Sequence, residues 1–148
     1  MDDTTYEQLR LQLEERSRRL TEAGETLLRF ARAIQYRVNY DSGKKREVCI
    51  FGSMTNDQFV EREYDILPFG IGFTLKILFR DTAGDDIFST LVHFKAQHKG
   101  DSVSVQCLNT QQIAVLTLAE LETIEGQQKV TKMLDAPVSE AVRKALDS

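Results

Sequence analysis

The sequence predicts an α+β fold: a long N-terminal helix, a curved antiparallel sheet of about six strands in a meander, and C-terminal helices packed on the sheet. Three patterns predict it. Apolar residues recur at helical spacing in the first third of the chain, they alternate with polar ones from residue 73 onward, and helix-capping patterns return near the end. The 148 residues contain no linker or repeat, so we expect one domain over residues 1–148.

The first element is a helix predicted over residues 4–33, with Thr4 or Thr5 as its cap. Glu14, Glu15 and Glu25 stand four residues before Arg18, Arg19 and Arg29, which supports a helix and marks its solvated face. One apolar stripe runs along the other face, formed by Leu9, Leu13, Leu20, Leu27, Phe30 and Ile34.

Leu13, Leu20 and Leu27 of this stripe form the candidate helix interface, because they repeat every seven residues. Two interpretations stay open. The stripe packs against the chain's own sheet, or it pairs with a second copy in a coiled coil, where Arg16 would be a costly seam residue.

Residues 34–51 predict a first hairpin. The segment "IQYRVNY" alternates, "DSGKKR" is typical of a turn, and "EVCIF" returns as a strand. The basic run 44–46 is interpreted as a solubilising edge. For residues 55–67, a helix capped by Thr55 and Gln58 competes with an irregular strand, and we favour the strand.

From Phe73 the pattern predicts a meander, with turns at "DTAGDD", "HKGD" and "NTQQ". Thr117 and Glu120 form a capping-box pattern, and Asp135-Ala136-Pro137 is expected to start a final helix.

The stretch "LPFGIGFTLKILF" contains the only glycine pair that resembles a phosphate loop. A dinucleotide fingerprint needs a third glycine where Leu75 stands, and a P-loop needs a lysine after its last glycine. We interpret Gly70 and Gly72 as a bend where a strand begins, and expect Gly72→Val to cost stability.

Few residues are available for catalysis or metal binding. His93, His98, Cys49 and Cys107 are the whole stock of histidine and cysteine, without metal-ligand spacing. His93 is expected to point away from the face that holds Cys107, which argues against a nucleophilic pair. The sequence therefore predicts no catalytic residues, no cofactor and no metal, and leaves enzyme activity as a lesser alternative.

The charge balance limits the partners. The net charge is −4, so no basic field attracts nucleic acid or an anionic membrane. The acidic, polar first residues argue against a secretory signal peptide. Two cysteines in apolar contexts predict buried, reduced thiols in a cytoplasmic protein.

Aromatic side chains are the remaining candidates for a pocket or for the core: Tyr36, Tyr40, Phe73, Phe79, Phe88 and Phe94. The helix–sheet–helix layout, the length and the acidic charge are loosely similar to the type III secretion chaperones, although no motif carries this likeness. The resemblance implies a dimeric module that binds segments of a protein partner. We expect a small non-catalytic binding protein whose partner is another protein or a second copy. The alternative is a domain or enzyme that holds a small apolar ligand between the curved sheet and the helices.

Overall fold

The computed structural model describes residues 1–44 and 46–148, and its first element is one long helix. Helix α1 covers Asp3–Asp41, 39 residues, which corresponds to about 58 Å of length. Its cap is Asp2, whose side chain accepts a hydrogen bond from the Thr5 amide at 2.7 Å. The prediction of Thr4 or Thr5 as the cap was wrong, because the Asp2 carboxylate accepts the hydrogen bond of the Thr5 amide and so caps the helix.

The predicted hairpin over residues 34–51 is also wrong in its first half, since residues 34–41 continue α1. Ile34 and Val38 are four residues apart, and so are Tyr36 and Tyr40. Residues four apart lie on the same face of a helix, so the alternating pattern fits a helix equally well. Ile34 is buried and Val38 packs against the core, whereas Tyr36 and Tyr40 are exposed. The turn predicted at residues 41–46 therefore connects a helix to a strand, and Lys45 in its basic run lies outside the described residues.

The side chain of Asn39 explains why the helix continues to this point. Its Oδ1 accepts hydrogen bonds from the amides of Val48 and Cys49, both at 2.8 Å, and its Nδ2 donates to the Cys49 carbonyl at 3.0 Å. Gln35 donates to the same carbonyl at 3.1 Å. The last turns of the helix thus hold the beginning of the first strand through side chains.

The sheet has seven antiparallel strands and is open rather than closed into a barrel. Its order is β2-β1-β4-β5-β6-β7, and β3 pairs with β4 beyond the end of β1. The strands are β1 Cys49–Thr55, β2 Gln58–Glu61, β3 Asp65–Leu67, β4 Gly70–Arg80, β5 Asp86–Lys99, β6 Ser102–Cys107 and β7 Ile113–Thr117.

The ambiguous segment 55–67 is extended, which confirms the irregular strand and excludes the capped helix there. Asn56 and Asp57 have φ values of 51° and 64°. Two successive residues in the left-handed region, between the paired residues Thr55 and Gln58, make the tight turn of a β-hairpin. The pattern that resembled a helix cap is therefore the hairpin turn between β1 and β2.

The meander from β4 to β7 is confirmed, with turns where the sequence predicted them. Gly70 is the first residue of β4, which confirms that this glycine stretch is a strand entrance. The requirement for glycine, however, falls on Gly70. A Cβ there would lie 2.0 Å from the Ala96 carbonyl oxygen, whereas a Cβ on Gly72 would meet nothing closer than 3.5 Å.

The C-terminal region contains a 3-10 turn at Glu120–Glu122, α2 at Ile124–Thr131, a second 3-10 turn at Lys132–Leu134 and α3 at Asp135–Leu146. The predicted capping box is present: the Thr117 amide donates to the Glu120 carboxylate, and the Glu120 amide donates to the Thr117 hydroxyl, both at 3.2 Å. The predicted start of the final helix at residue 135 is confirmed.

The helices cover one face of the sheet and form a single core with it. Leu27, Phe30 and Ile34 of α1 pack with the inward side chains of the strands, and α2 adds Val130. On the opposite face, the β7 side chains Ile113 and Val115 are exposed. No helix in the described part of the chain has both the length and the apolar character needed to cross a membrane.

Candidate interaction surface on the N-terminal helix

The apolar stripe of α1 extends beyond the sheet that buries its second half. Ala23 is the first buried residue of the helix, and Leu27 is fully buried. Residues 3–22, which we call the arm, lie before this point and contain no buried residue. Leu13 is 65% exposed, and Tyr6 and Leu9 are exposed as well.

The exposed apolar residues of the arm share one face. At 100° per residue, Tyr6, Leu9, Leu13 and Leu20 fall within a sector of about 60°. Leu11 is also exposed, but it points to the opposite side. The arm therefore presents a continuous apolar stripe in line with the buried one.

Ion pairs occupy other faces of the arm. Arg10 pairs with Glu7 at 2.6 Å and also with Glu14. Glu15 pairs with Arg18 at 2.5 Å and with Arg19 at 3.2 Å, and its bonds to these arginines lower the pKa of its carboxyl group.

The sequence predicted three ion pairs along α1, and one of the three is present. The pair between Glu15 and Arg19 is present, whereas Glu14 pairs with Arg10 instead of Arg18. Arg29 lies 3.9 Å from Glu122, across the interface between α1 and the 3-10 turn, and not against Glu25.

An apolar cleft of about 650 Å³ lies where the arm leaves the sheet. Leu20, Gly24 and Leu28 form its helical wall, and a Cβ on Gly24 would have open space around it. The other wall comes from the segment that leads into β4, which includes Ile66, 84% exposed, and Phe69. The ring of Phe69 stands edge-on to the ring of His98, at 6.2 Å.

Sequence reasoning did not assign Ile66 to a surface of this kind. Its segment, "EREYDILPFG", mixes charges with large apolar residues, and that mixture is the signal that an exposed apolar wall leaves in a sequence.

The six candidate aromatics do not converge on one cavity. Phe73 and Phe94 are buried in the core, with ring centroids 5.3 Å apart. Phe79 is 37% exposed, and its ring centroid lies 6.1 Å from that of the half-buried Phe88, at the far end of the sheet. Tyr36 and Tyr40 stack on the outer side of α1. Of the candidate helix interface, Leu27 is in the core, Leu20 is half-buried at the cleft and Leu13 is exposed.

His93 and the two cysteines occupy separate environments. The Thr74 hydroxyl and His93 Nδ1 are 2.8 Å apart on the face that the helices do not cover, and burial lowers the pKa of His93. Cys49 and Cys107 are free and buried, as predicted. Burial, with a contribution from the Glu47 carboxylate, raises the pKa of Cys49 to about 12, so this thiol is not an activated nucleophile.

Acidic and metal-ligating side chains do not converge either. Within residues 1–44 and 46–148, no group of three or more histidine, cysteine or carboxylate side chains is arranged to hold a metal ion. The geometry thus leaves the stripe of the arm and the cleft at its base as an exposed apolar surface along α1. In comparisons with protein-family models, curated proteins and solved structures, nothing matched this chain.

Proposed function

We propose that this chain is a binding module that associates with a second copy of itself through the arm of α1. The continuity of one apolar stripe carries the proposal: its second half is buried by the chain's own sheet, while Tyr6, Leu9 and Leu13 are exposed. A helical face of this kind is stabilised when a partner helix covers it.

An antiparallel pairing fits the residues best. In a pairing of position i with position 22 − i, Leu9 faces Leu13 of the second copy, and Tyr6 faces Arg16. Arg16 then lies over an aromatic face instead of opposite another Arg16, which relieves the cost of a cation in the seam.

The charges of the arm favour the same direction. Asp2 and Asp3 stand at its beginning, and an arginine-rich segment, residues 16–19, stands near its end. In the same antiparallel pairing, Asp3 is level with Arg19 of the second copy, whereas a parallel pair brings the two copies of Asp3 together.

A non-catalytic role and a cytoplasmic location belong to the same proposal. Cys49 and Cys107 lie unbonded on separate strands, β1 and β6. Free buried thiols of this kind are typical of a reducing compartment.

The test is the mass of the particle in solution, measured by analytical ultracentrifugation over a range of concentrations. We expect a concentration-dependent dimer for the natural sequence and a monomer for Leu13→Asp. Leu11→Asp is the matched control, because it places the same charge on the opposite side of the same helix segment and should leave the dimer intact.

Circular dichroism checks that both variants remain folded. A natural sequence that stays monomeric at all concentrations, or a Leu11→Asp that dissociates as readily as Leu13→Asp, contradicts self-association through this stripe.

The direction of the pair is tested by disulfide cross-linking of cysteine variants, since Cys49 and Cys107 are buried and do not interfere. A mixture of Leu9→Cys and Leu13→Cys should form the mixed disulfide faster than either variant cross-links with itself. Preferential cross-linking of Leu9→Cys with itself would indicate a parallel pair.

A further inference from the structure

A second cleft, of about 620 Å³, lies at the other end of the helical layer. Its volume falls in the range of small-molecule sites, roughly 300–1,000 Å³. The last turn of α1 is level with Ile77 of β4, because Asn39 bonds to Cys49 and Cys49 pairs with Ile77, whereas β4 continues to Arg80. The inward side chains at the end of β4 therefore extend beyond the cover that the helix provides.

The floor of this cleft is apolar. Val38 of α1 and Ile77 of β4 meet there, and Phe79 adds a partly exposed ring. Val38 and Ile77 also line an adjoining cleft of about 390 Å³ that reaches Val138 of α3. The two clefts thus share an apolar floor that runs from the end of β4 toward the final helix.

The rim is basic, in a protein whose net charge is −4. Lys44, Arg46 and Arg80 line the cleft, and Asp81 is the only carboxylate among its lining residues. The Asp81 carboxylate accepts hydrogen bonds from the Ala83 and Asp85 amides, both at 3.0 Å, so it is engaged in the turn between β4 and β5.

The three cations differ in their partners. Arg80 is paired with Asp86 at 2.9 Å. Within the described part of the chain, neither Lys44 nor Arg46 has a carboxylate within ion-pair distance. Both are therefore available for an anion from outside the chain.

The guanidinium of Arg46 is held in place by the same turn. Its Nη1 donates to the Gly84 carbonyl at 3.3 Å. Gly84 has a φ of +90°, and a Cβ on it would lie 3.0 Å from Arg46 Nη1. Glycine is thus required there for the backbone conformation, and its lack of a side chain lets the guanidinium lie against the turn.

We propose that this cleft binds an aliphatic chain that ends in an anionic group, a carboxylate or a phosphate. The chain lies on Val38, Ile77 and Phe79, and the anion meets Lys44 and Arg46 at the rim. A charge-assisted hydrogen bond to a lysine or arginine is stronger than a neutral one, so these two cations select the head group. The site is separate from the arm, so either proposal can fail without the other.

The experiment titrates octanoate and octyl phosphate, each below its micelle-forming concentration, into the isotopically labelled protein and follows the amide NMR signals. We expect saturable shifts that are largest for residues 76–80 and for the end of α1. 1-Octanol tests the need for the charge, and acetate tests the need for the chain. 1-Octanol should bind at least roughly tenfold more weakly, the contribution of about one charge-assisted hydrogen bond. Acetate should also bind at least roughly tenfold more weakly, because it lacks the apolar chain that octanoate buries in the cleft. Whichever of octanoate and octyl phosphate binds more tightly identifies the anionic group.

The variant Lys44→Gln/Arg46→Gln should lose roughly tenfold or more in affinity for the preferred probe. Lys99→Gln, which removes an exposed charge at the far turn between β5 and β6, is the matched control and should bind normally. The proposal is overturned if neither probe produces saturable shifts, if 1-octanol binds as tightly as octanoate, or if the double variant binds like the natural sequence.

Discussion

At Gly70, two neighbouring strands approach so closely that no side chain fits between them. A Cβ at this position would lie 2.0 Å from the Ala96 carbonyl oxygen. Gly70→Ala should therefore lower the free energy of unfolding by about 1–3 kcal/mol, the usual cost of overpacking.

Urea denaturation with Gly72→Ala as the control checks this prediction. Gly72 lies two residues away in the same strand and has ordinary space for a Cβ. Equal losses of stability in the two variants would show that the close approach at Gly70 is not the cause.

His93 should make the stability of the protein sensitive to pH. Burial lowers the pKa of His93 below the ordinary value of 6.5, so the folded chain resists a proton that the unfolded chain accepts. The stability from this group is complete above 6.5 and decreases as the pH falls through 6.5 and then through the lower folded value.

The measurement compares the free energy of unfolding of the natural sequence and of His93→Gln between about pH 7.5 and about pH 5.5. The difference between them should shrink toward the lower pH. A constant difference over this range would mean that His93 does not titrate differently in the two states.

On the scale of the elements, Asn39 joins a helix to a strand. Asn39→Ala removes the side-chain bonds to the Val48 and Cys49 amides, whereas the Cys49 carbonyl keeps its bond from Gln35. We expect a loss of about 1–3 kcal/mol in the free energy of unfolding, the cost of buried groups left unpaired.

Tyr40→Ala is the control for Asn39→Ala, because Tyr40 is the adjacent residue of the helix and is exposed. Thermal unfolding of the two variants should separate them clearly. If Tyr40→Ala proves as destabilising as Asn39→Ala, the loss comes from the helix itself and not from its link to β1.

The same elements show what the sequence could reveal. The long helix and the meander have unambiguous periods, and both were predicted. Residues 34–41 have a pattern that a helix and a strand satisfy equally well, and the bonds from Gln35 and Asn39 to β1, with the inward packing of Val38, favour the helix. Residues 55–58 fit both a helix cap and a tight turn, and the pairing of β2 with β1 decides for the turn.

At the scale of the whole molecule, the limit of sequence reasoning is the pairing of distant strands. The α+β class follows from local periods, but nothing local indicates that β1 pairs with β4. The candidate interface suffers from the same limit. Leu13, Leu20 and Leu27 repeat identically, and only the extent of the sheet makes one exposed, one half-buried and one fully buried.

The same substitution should therefore destabilise the fold at Leu27, which is buried, and leave the fold intact at Leu13, which is exposed. Leu27→Asp places a charge in the core that joins α1 to the sheet, and we expect a loss of more than about 4 kcal/mol, or no folded protein. Leu13→Asp should retain the fold. Circular dichroism and denaturation measure both, and a Leu27→Asp that folds with ordinary stability would contradict the described core.

Gly24 lies at the boundary between the exposed and the buried parts of α1. This residue lies next to Ala23, where burial begins, and glycine weakens a helix interior by about 1 kcal/mol relative to alanine. In an isolated chain, the amides of the arm should open and exchange with deuterium much faster than those of residues 27–38, which unfold only with the core. Association with a second copy would slow the exchange of the arm but not that of residues 27–38. Deuterium uptake would therefore locate the boundary within the helix and would also show whether a partner covers the arm.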